Sequence, residues 1–160
     1  MEKVYIGKIV STHGIKGEIK ILSDFEYKDK VFVVGNSLII DDKEFVIRSY
    51  RRHKNFEMVT LNDYRDINEV LYLMKKNVFF NKERLFLDDS EVLDDELISY
   101  QVLTSDGKRG IIKEIFWASP TNKLIRVMFE REVLIPVFSP MIKKIDKNKR
   151  EVLVELYEEM

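Results

Sequence analysis

Few residues in this chain have the side-chain chemistry of an enzyme or a metal site. There are two histidines, His13 and His53, and no cysteine, and the sequence contains neither a His-x-x-x-His nor a Glu-x-x-His pair of the kind that zinc sites use. A Walker loop, a Gly-x-Gly-x-x-Gly fingerprint and a nucleophile elbow are also missing. We therefore expect no catalytic residue, no metal site and no cofactor.

The stretch from Ser11 to Gly17 has the composition of a recognition loop. It reads Ser-Thr-His-Gly-Ile-Lys-Gly and joins two strand-like segments. Its glycines permit close approach of the backbone to a ligand, and its histidine and lysine offer donors to phosphate or carboxylate. The alternative is a loop whose glycines solve only a backbone problem and whose histidine packs locally. The candidate binding residues are His13, Gly14, Ile15, Lys16 and Gly17.

A second candidate is the basic run from Arg51 to Asn55, which follows Tyr50. Arg51, Arg52 and Lys54 carry charges suited to RNA phosphates, and the nearby tyrosine offers a ring on which a base can stack. The alternative is a solvated, charged loop between two strands.

The aromatic residues and prolines of the second half form a third candidate. Phe116, Trp117 and Phe138 could share an exposed patch, although core packing is the expectation for most of them. Pro136 and Pro140 bracket residues 137–139, where they would end strand pairing and expose the backbone at a barrel rim. Pro136 and Phe138 are the candidate binding residues here.

Short strands are the elements that must position these candidates. Alternation of apolar and polar residues, or enrichment in β-branched residues, marks each of them. The predicted strands are Val4–Val10, Gly17–Ser23, Ser37–Ile40, Glu44–Tyr50, Phe56–Leu61, Val78–Phe80, Tyr100–Thr104, Gly110–Trp117, Lys123–Phe129, Glu132–Val137, Met141–Asp146 and Arg150–Leu156. Asp41-Asp42-Lys43 is predicted to form a hairpin turn, and Gly107 to supply a positive φ in another turn.

One segment has helical instead of strand-like spacing. Its apolar stripe consists of Ile67, Val70, Leu71 and Met74. Asp66 and Glu69 form the Asp-x-x-Glu pattern that caps a helix N-terminus. We therefore predict a single helix over Asp66–Lys76.

An acidic segment separates the two halves. Between Asp88 and Glu96, six of nine residues are acidic, and such a density of like charge resists burial. We predict a first domain over residues 1–82, a solvated acidic linker over 83–96 and a second domain over 97–160. Many short strands with one or two short helices indicate a mainly β protein built as two tandem small β-barrels.

Composition and charge bound the functional class. Hydrophobic residues make up 45% and charged residues 34% of the chain, which is typical of a folded, water-soluble protein. No apolar run approaches the ~20 residues of a membrane span, and neither a signal-like start nor cysteine is present, so the cytoplasm is expected. Residues 1–82 carry 15 basic and 12 acidic side chains, for +3, and residues 83–160 carry 12 and 16, for −4. This balance favours a local nucleic-acid contact supported by a protein partner.

The opening stretch Ile6–Lys20, which contains Ser-Thr-His-Gly-Ile-Lys-Gly, resembles the N-terminal signature of the RimM family of small-subunit maturation factors. The second half is similar to the C-terminal PRC-barrel domain of that family. The matching residues are Leu97-Ile98, Asp106-Gly107, Gly110, Val133–Val137 and Ile142–Asp146.

The resemblance implies a translation-factor-like barrel followed by a PRC barrel. It also implies a monomeric, cytoplasmic, chaperone-like factor that uses no cofactor. Such a factor binds the head of the small-subunit precursor through the nineteenth small-subunit ribosomal protein and nearby ribosomal RNA, and it promotes 3′-domain assembly and rRNA processing. Two alternatives stay open: a stand-alone RNA-binding β-barrel, and a small-molecule enzyme or carrier with a deep pocket of ionisable groups.

Three positions depart from the family pattern. The adjacent aromatics that the family carries before the Leu-Ile step, and that are associated with partner binding, are replaced here by Val92 and Leu93. These aliphatic residues fill a pocket but lack a ring face and a hydroxyl. The usual glycine after Trp117 is replaced by Pro120, which predicts a stiffer loop.

Overall fold

In a computed structural model, which describes residues 2–156, the chain divides into two compact units, Met1–Phe86 and Leu87–Met160. Each unit contains one six-stranded sheet, which confirms the prediction of a mainly β protein with two β modules. Three α-helices of four residues each are present, where the sequence indicates one or two: α1 (Lys28–Val31), α2 (Ile67–Val70) and α3 (Asp94–Leu97).

The first unit is a closed barrel of antiparallel strands. Its strands are β1 (Lys3–His13), β2 (Glu18–Leu22), β3 (Ser37–Ile40), β4 (Lys43–His53), β5 (Phe56–Leu61) and β6 (Asn77–Asn81). They are hydrogen-bonded in the order β1-β2-β5-β4-β3-β6, and β6 pairs with β1 to close the ring. The predicted turn after β3 is confirmed, because Asp41 and Asp42 have φ of 53° and 60°, as a tight two-residue hairpin connection requires.

The alternating apolar residues of these strands are buried as their pattern predicts. Fully buried members are Ile6, Ile9, Ile19, Ile21, Leu38, Ile40, Ile47, Leu61 and Phe80. Burial of each such side chain stabilises the fold by about 1.5–3 kcal/mol. Gly7 lies where the pairing of β1 with β6 shifts register, and a Cβ at this position would stand 2.4 Å from the carbonyl oxygen of Leu22. The close approach of β1 to β2 therefore requires glycine.

The single helix predicted over Asp66–Lys76 is wrong in length. The caps are present, since Asp66 accepts a hydrogen bond from the Asn68 N–H and Glu69 accepts one from the Arg65 N–H. After α2 the chain tightens into a 3₁₀ turn, Leu71–Leu73, whose three-residue repeat buries Leu73 and leaves Leu71 half exposed. The helix ends there because the backbone groups of Lys75 and Lys76 pair with Ile9 of β1.

The second unit is a six-stranded sheet in which one pair is parallel. Its strands are β7 (Gln101–Thr104), β8 (Arg109–Ser119), β9 (Asn122–Met128), β10 (Glu132–Pro136), β11 (Ile142–Asp146) and β12 (Glu151–Val154). The order is β10-β9-β8-β7-β12-β11, and β7 runs parallel to β12. Gly107 has the expected positive φ of 91°. Both units were predicted to be barrels. Among the described residues, the strands close into a hydrogen-bonded ring in the first unit, whereas the sheet of the second unit has β10 and β11 at its two ends.

The acidic segment differs from a solvated linker in its second part. Asp88 and Asp89 are exposed as predicted, and the two units divide just before them, between Phe86 and Leu87. Val92 is 4% exposed and, with Leu97 of α3, belongs to the core of the second unit. The apolar residues between the acidic ones cause this difference, because they fold the segment onto the sheet while its carboxylates stay at the surface.

Candidate partner-binding surfaces

The first candidate stretch forms a short turn and not the seven-residue loop that its composition predicts. Residues 11–13 continue β1, and His13 pairs with Glu18 of β2, so only residues 14–17 form the turn. Gly14 and Gly17 have φ of 68° and 89°, where glycine is favoured. The Ile67 N–H donates to the Ile15 carbonyl at 2.9 Å, which holds the turn in place. Ile15 itself is 74% exposed at the tip.

The basic run is also mostly strand and not a loop. Arg51, Arg52 and His53 belong to β4 and pair with β5, and Lys54 and Asn55 form a tight turn in which Lys54 has a φ of 57°. The strand pairing extends this far because the long hairpin β4–β5 has a regular register after its bulge. The charged side chains therefore project from fixed positions.

The structure brings the two candidate stretches together on the first unit. The imidazole rings of His13 and His53 have centroids 5.6 Å apart. Arg51 forms two hydrogen bonds to the Glu18 carboxylate, at 2.7 and 3.0 Å. The Arg51 guanidinium lowers the pKa of Glu18 through these bonds. The pKa of His53 is lowered by desolvation first, and then by the positive charges of Arg51 and Lys54. The pair of hairpins thus presents two neighbouring imidazole rings and an arginine already held by a carboxylate.

Arg52 is close to a buried carboxylate. Glu57 is 1% exposed, and its Oε1 accepts a hydrogen bond from the Tyr50 hydroxyl at 2.8 Å. Its Oε2 lies 3.9 Å from Arg52 Nε and has no hydrogen-bond partner among the described residues. Arg52 thus lies beside the carboxylate of Glu57 in its own unit. Of the three predicted basic residues, Lys54 is the one without an ion pair among residues 2–156.

The Tyr50–Glu57 contact predicts a pH dependence of stability. Burial, with the hydrogen bond and charge of Glu57, raises the pKa of Tyr50 to about 12. The folded state therefore favours the neutral phenol. The resulting contribution to the free energy of unfolding is complete below the unfolded pKa of about 10 and is lost as pH rises through about 12. Tyr50→Phe should cost about 1–3 kcal/mol at neutral pH, because it removes the hydrogen-bond donor to Glu57. It should also reduce the alkaline loss of stability.

Urea unfolding at neutral and alkaline pH checks this expectation. Tyr5→Phe is the control, since Tyr5 is 53% exposed and its hydroxyl makes no hydrogen bond among residues 2–156. Burial and a hydrogen bond to Tyr64 also raise the pKa of Tyr72 to about 12. Tyr72 therefore makes the same contribution to the pH dependence of stability in both variants. An alkaline loss in Tyr50→Phe equal to that of the parent would contradict the assignment.

A groove beside the β1–β2 turn contains two cations that the sequence analysis did not select. Lys16 lines it together with Arg48, Thr60, Asn62, Asp63, Tyr64 and Arg65, and its volume is about 410 Å³. A second groove, of about 460 Å³, is lined by His13, Gly14, Ile15, Lys16, Glu18 and Thr60. Lys16 and Thr60 are common to both. Arg65 lies apart in sequence from both candidate stretches, and Arg48 precedes the basic run by three residues, so only the folded barrel shows that the two share a groove.

The aromatic residues of the second unit are more exposed than predicted. Phe138 is 71% exposed and Trp117 is 42% exposed, so these two form an exposed patch, and the core packing expected for most of the three aromatics does not apply to them. Their ring centroids are 6.1 Å apart. Pro136 ends β10, as predicted, and its carbonyl accepts a hydrogen bond from the Ser139 hydroxyl. Phe138 is thus presented on a hydrogen-bonded turn next to Trp117; we call this pair the aromatic rim.

Val92 and Leu93 are not at the surface. They are 4% and 7% exposed, and Leu93 precedes α3 as its N-cap residue. Direct contact of either side chain with a partner would require the segment to leave the sheet. Within this conformation, their contribution is to hold α3 in position.

Two further findings concern the described residues as a whole. Across positions 2–156, no three histidine, aspartate or glutamate side chains gather closely enough to hold a metal ion. Within the same range, every helix is too short to cross a membrane.

Comparison with known proteins assigns a family to the chain. The RimM N-terminal domain family matches residues 4–85. The ribosome maturation factor RimM of Listeria monocytogenes serotype 4b is 33% identical, with 99% of this chain and 98% of the relative covered. The RimM proteins of Ligilactobacillus salivarius and Staphylococcus saprophyticus are 36% and 35% identical, with 94% and 95% of each chain covered. The N-terminal domain of RimM from Thermus thermophilus, known from a solution structure, matches 54% of this chain and 98% of its own length, with 17% identity and a TM-score of 0.46.

Proposed function

The chain belongs to the RimM family of ribosome maturation factors, and from this membership we propose that it is a chaperone-like assembly factor that binds the head of the immature small ribosomal subunit. The proposed contacts are the nineteenth small-subunit ribosomal protein and nearby ribosomal RNA, and the proposed result is assembly of the 3′ domain and processing of its RNA. The observation that carries the proposal is the match over 94% or more of both chains to curated maturation factors. We further propose that it acts as a cytoplasmic monomer, without a cofactor and without catalysing a reaction.

Charge and exposed aromatic residues support the binding of different partners by the two units. The first 82 residues have a net charge of +3, and the remaining 78 have −4. A basic ribosomal protein is complementary to the acidic half, and RNA to basic grooves of the other half. Complementary charge accelerates encounter and fixes orientation more than it raises affinity. The aromatic rim supplies an anchor of the type that dominates protein interfaces.

Binding energy alone performs the proposed work. A factor that holds one arrangement of the head protein and its RNA raises the population of that arrangement among assembly intermediates. It shifts the population only by the ratio of its affinities for immature and mature particles. Release follows when mature contacts replace those of the factor. Equal affinity for both particles would contradict this mechanism.

Affinity capture of the tagged full-length chain, followed by gradient sedimentation, tests the proposal. We expect co-migration with small-subunit precursors and recovery of the head protein. Phe138→Ala should weaken binding to the head protein by about 2 kcal/mol, or roughly thirtyfold, as expected for an exposed aromatic anchor. Ile111→Ala is the matched control, because Ile111 is an apolar residue of the same sheet that is 44% exposed.

The outcomes discriminate the alternatives. A stand-alone RNA-binding barrel predicts no recovery of a ribosomal protein and a complete loss of function on charge reversal at Arg51, Arg52 and Lys54. Our proposal predicts only partial loss, because the first two cations are held by carboxylates. If Phe138→Ala and Ile111→Ala bind the head protein equally well, the aromatic rim is not the docking surface.

A further inference from the structure

The groove lined by Lys16, Arg48 and Arg65, which we call the cationic groove, gathers three cations from three separate elements. Lys16 comes from the β1–β2 turn, Arg48 from β4 and Arg65 from the loop before α2. All three side chains belong to exposed residues. Because the three are distant from one another in sequence, no single motif contains them, and the fold of the barrel brings them to one groove.

The three cations contrast with Arg51 and Arg52 in their ion pairing. None of them forms an ion pair among residues 2–156. By contrast, Arg51 is bound to Glu18, and Arg52 lies beside Glu57. An anion that enters the cationic groove therefore displaces no existing ion pair, whereas an anion at Arg51 must compete with a carboxylate already held by two hydrogen bonds.

The charge inside the groove favours an anion. Asp63 is the one acidic residue among the lining residues, so three positive charges and one negative charge leave a local excess of two positive charges. Thr60 adds a hydroxyl, which is hydrogen-bonded to Ser49. Tyr64 adds a ring whose hydroxyl is hydrogen-bonded to Tyr72.

The groove is fixed before any ligand arrives. Asn62 exchanges two hydrogen bonds with Val46, one through its backbone N–H at 2.8 Å and one through its side-chain oxygen at 2.9 Å. The Ile67 N–H holds the turn that carries Lys16. Ordered walls reduce the entropy that binding must overcome, so even exposed cations contribute to affinity.

The cationic groove continues into the groove along the β1–β2 turn, since Lys16 and Thr60 line both. A single carboxylate would occupy one arginine and leave the rest of this track empty. RNA matches the lining of this track better. Its successive phosphates suit the separated cations, its bases can stack on the tyrosine ring, and its hydroxyls can form hydrogen bonds along the glycine-containing turn.

We infer that the cationic groove binds the phosphodiester backbone of RNA, with Lys16, Arg48 and Arg65 as the phosphate contacts. The inference rests on the proposed function for the identity of the RNA, which is that of the small-subunit precursor. It also moves the RNA contact away from Arg51 and Arg52, which the sequence favours. These two arginines then act as internal counter-ions that shape the neighbouring surface.

The test measures binding of the full-length chain to a fluorescently labelled transcript of the 3′ domain of small-subunit ribosomal RNA, over a series of salt concentrations. The variant is Lys16→Gln, Arg48→Gln and Arg65→Gln combined. Its matched control is Lys8→Gln, Lys43→Gln and Arg84→Gln, which removes three charges from exposed residues of the same unit outside the groove. We expect the groove variant to bind at least about tenfold more weakly near 0.1 M salt, with a salt slope lower by about 2, and the control to stay close to the parent.

Each outcome decides the question. Equal losses in both variants would indicate a general charge effect and overturn the inference, as would unchanged binding in the groove variant or no RNA binding by the parent. A groove variant that keeps RNA affinity but loses the head protein would assign the groove to a protein partner. Urea midpoints of all variants exclude unfolding. Co-sedimentation of the parent with precursors is scored separately, so its failure contradicts the proposed function and leaves the groove result standing.

Discussion

Replacement of Gly7 by alanine is expected to destabilise the first barrel by about 3 kcal/mol or more, the upper range for overpacking of a buried site. The new Cβ would lie 2.4 Å from the Leu22 carbonyl oxygen and 3.2 Å from Ile21 Cγ2. Both atoms belong to β2, which is held by its pairing with β1 on one side and with β5 on the other. The barrel therefore cannot relax without loss of register.

The only tryptophan makes this result easy to localise. Trp117 lies in the second unit, so its fluorescence reports on that unit while far-ultraviolet circular dichroism reports on both. For Gly7→Ala we expect an early transition in the dichroism and an unchanged one in the fluorescence. Gly35→Ala is the control: Gly35 has a φ of 98° and no atom within 4 Å of an added Cβ, so only about 1–2 kcal/mol of backbone strain is expected. Equal destabilisation by the two substitutions would contradict the steric account.

Asp94→Asn is expected to destabilise the second unit by about 2–3 kcal/mol, somewhat below the full cost of breaking a buried ion pair. The Lys123 side chain is 5% exposed, and its Nζ lies 2.7 Å from Asp94 Oδ2. Asparagine would leave the ammonium group buried without a counter-ion. The Asp94 side chain is 27% exposed, which moderates the effect because water reaches the site. Urea unfolding followed by Trp117 fluorescence measures it.

Two further substitutions separate the charge pair from other causes. Asp95→Asn removes the same charge from the exposed neighbouring residue, which has no ion pair among residues 2–156, and should change stability by less than about 0.5 kcal/mol. Lys123→Met keeps the apolar stem, removes the buried charge and leaves only the partly exposed Asp94 carboxylate, so we expect it to cost less than Asp94→Asn. If Lys123→Met is as damaging as Asp94→Asn, the ion pair itself stabilises the unit.

The strands and their hairpins were predictable because their signals are local. Phe56–Leu61 and Ser37–Ile40 have the bounds that their alternation predicts, and Asp41-Asp42 forms the expected turn. The closure of β6 onto β1 and the parallel pairing of β7 with β12 had no such signal. Both join residues far apart in the chain, whose pairing depends on the fold as a whole.

The site was predictable only in part for the same reason. The sequence selected Lys16 and the basic run after Tyr50, but the ion pairs of Arg51 and Arg52 depend on Glu18 and Glu57, which lie on other strands. The cationic groove was not predictable because Lys16, Arg48 and Arg65 come from three separate segments that only the fold brings together. Core packing was the expectation for most of Phe116, Trp117 and Phe138 because hydrophobicity predicts burial on average, and the turn between two prolines that carries Phe138 is an exception.

The parallel pairing of β12 with β7 has a consequence for synthesis of the chain. All six strands of the first barrel have been translated by residue 81, so this barrel can close while the rest is still being made. Among the described strands of the second unit, β12 is translated last and lies between β7 and β11, so that sheet lacks an inner strand until residues 151–154 leave the ribosomal exit tunnel. Formation of such a distant pair is intrinsically slow. The nascent protein therefore closes the barrel of its first unit first and completes the sheet of its second unit last.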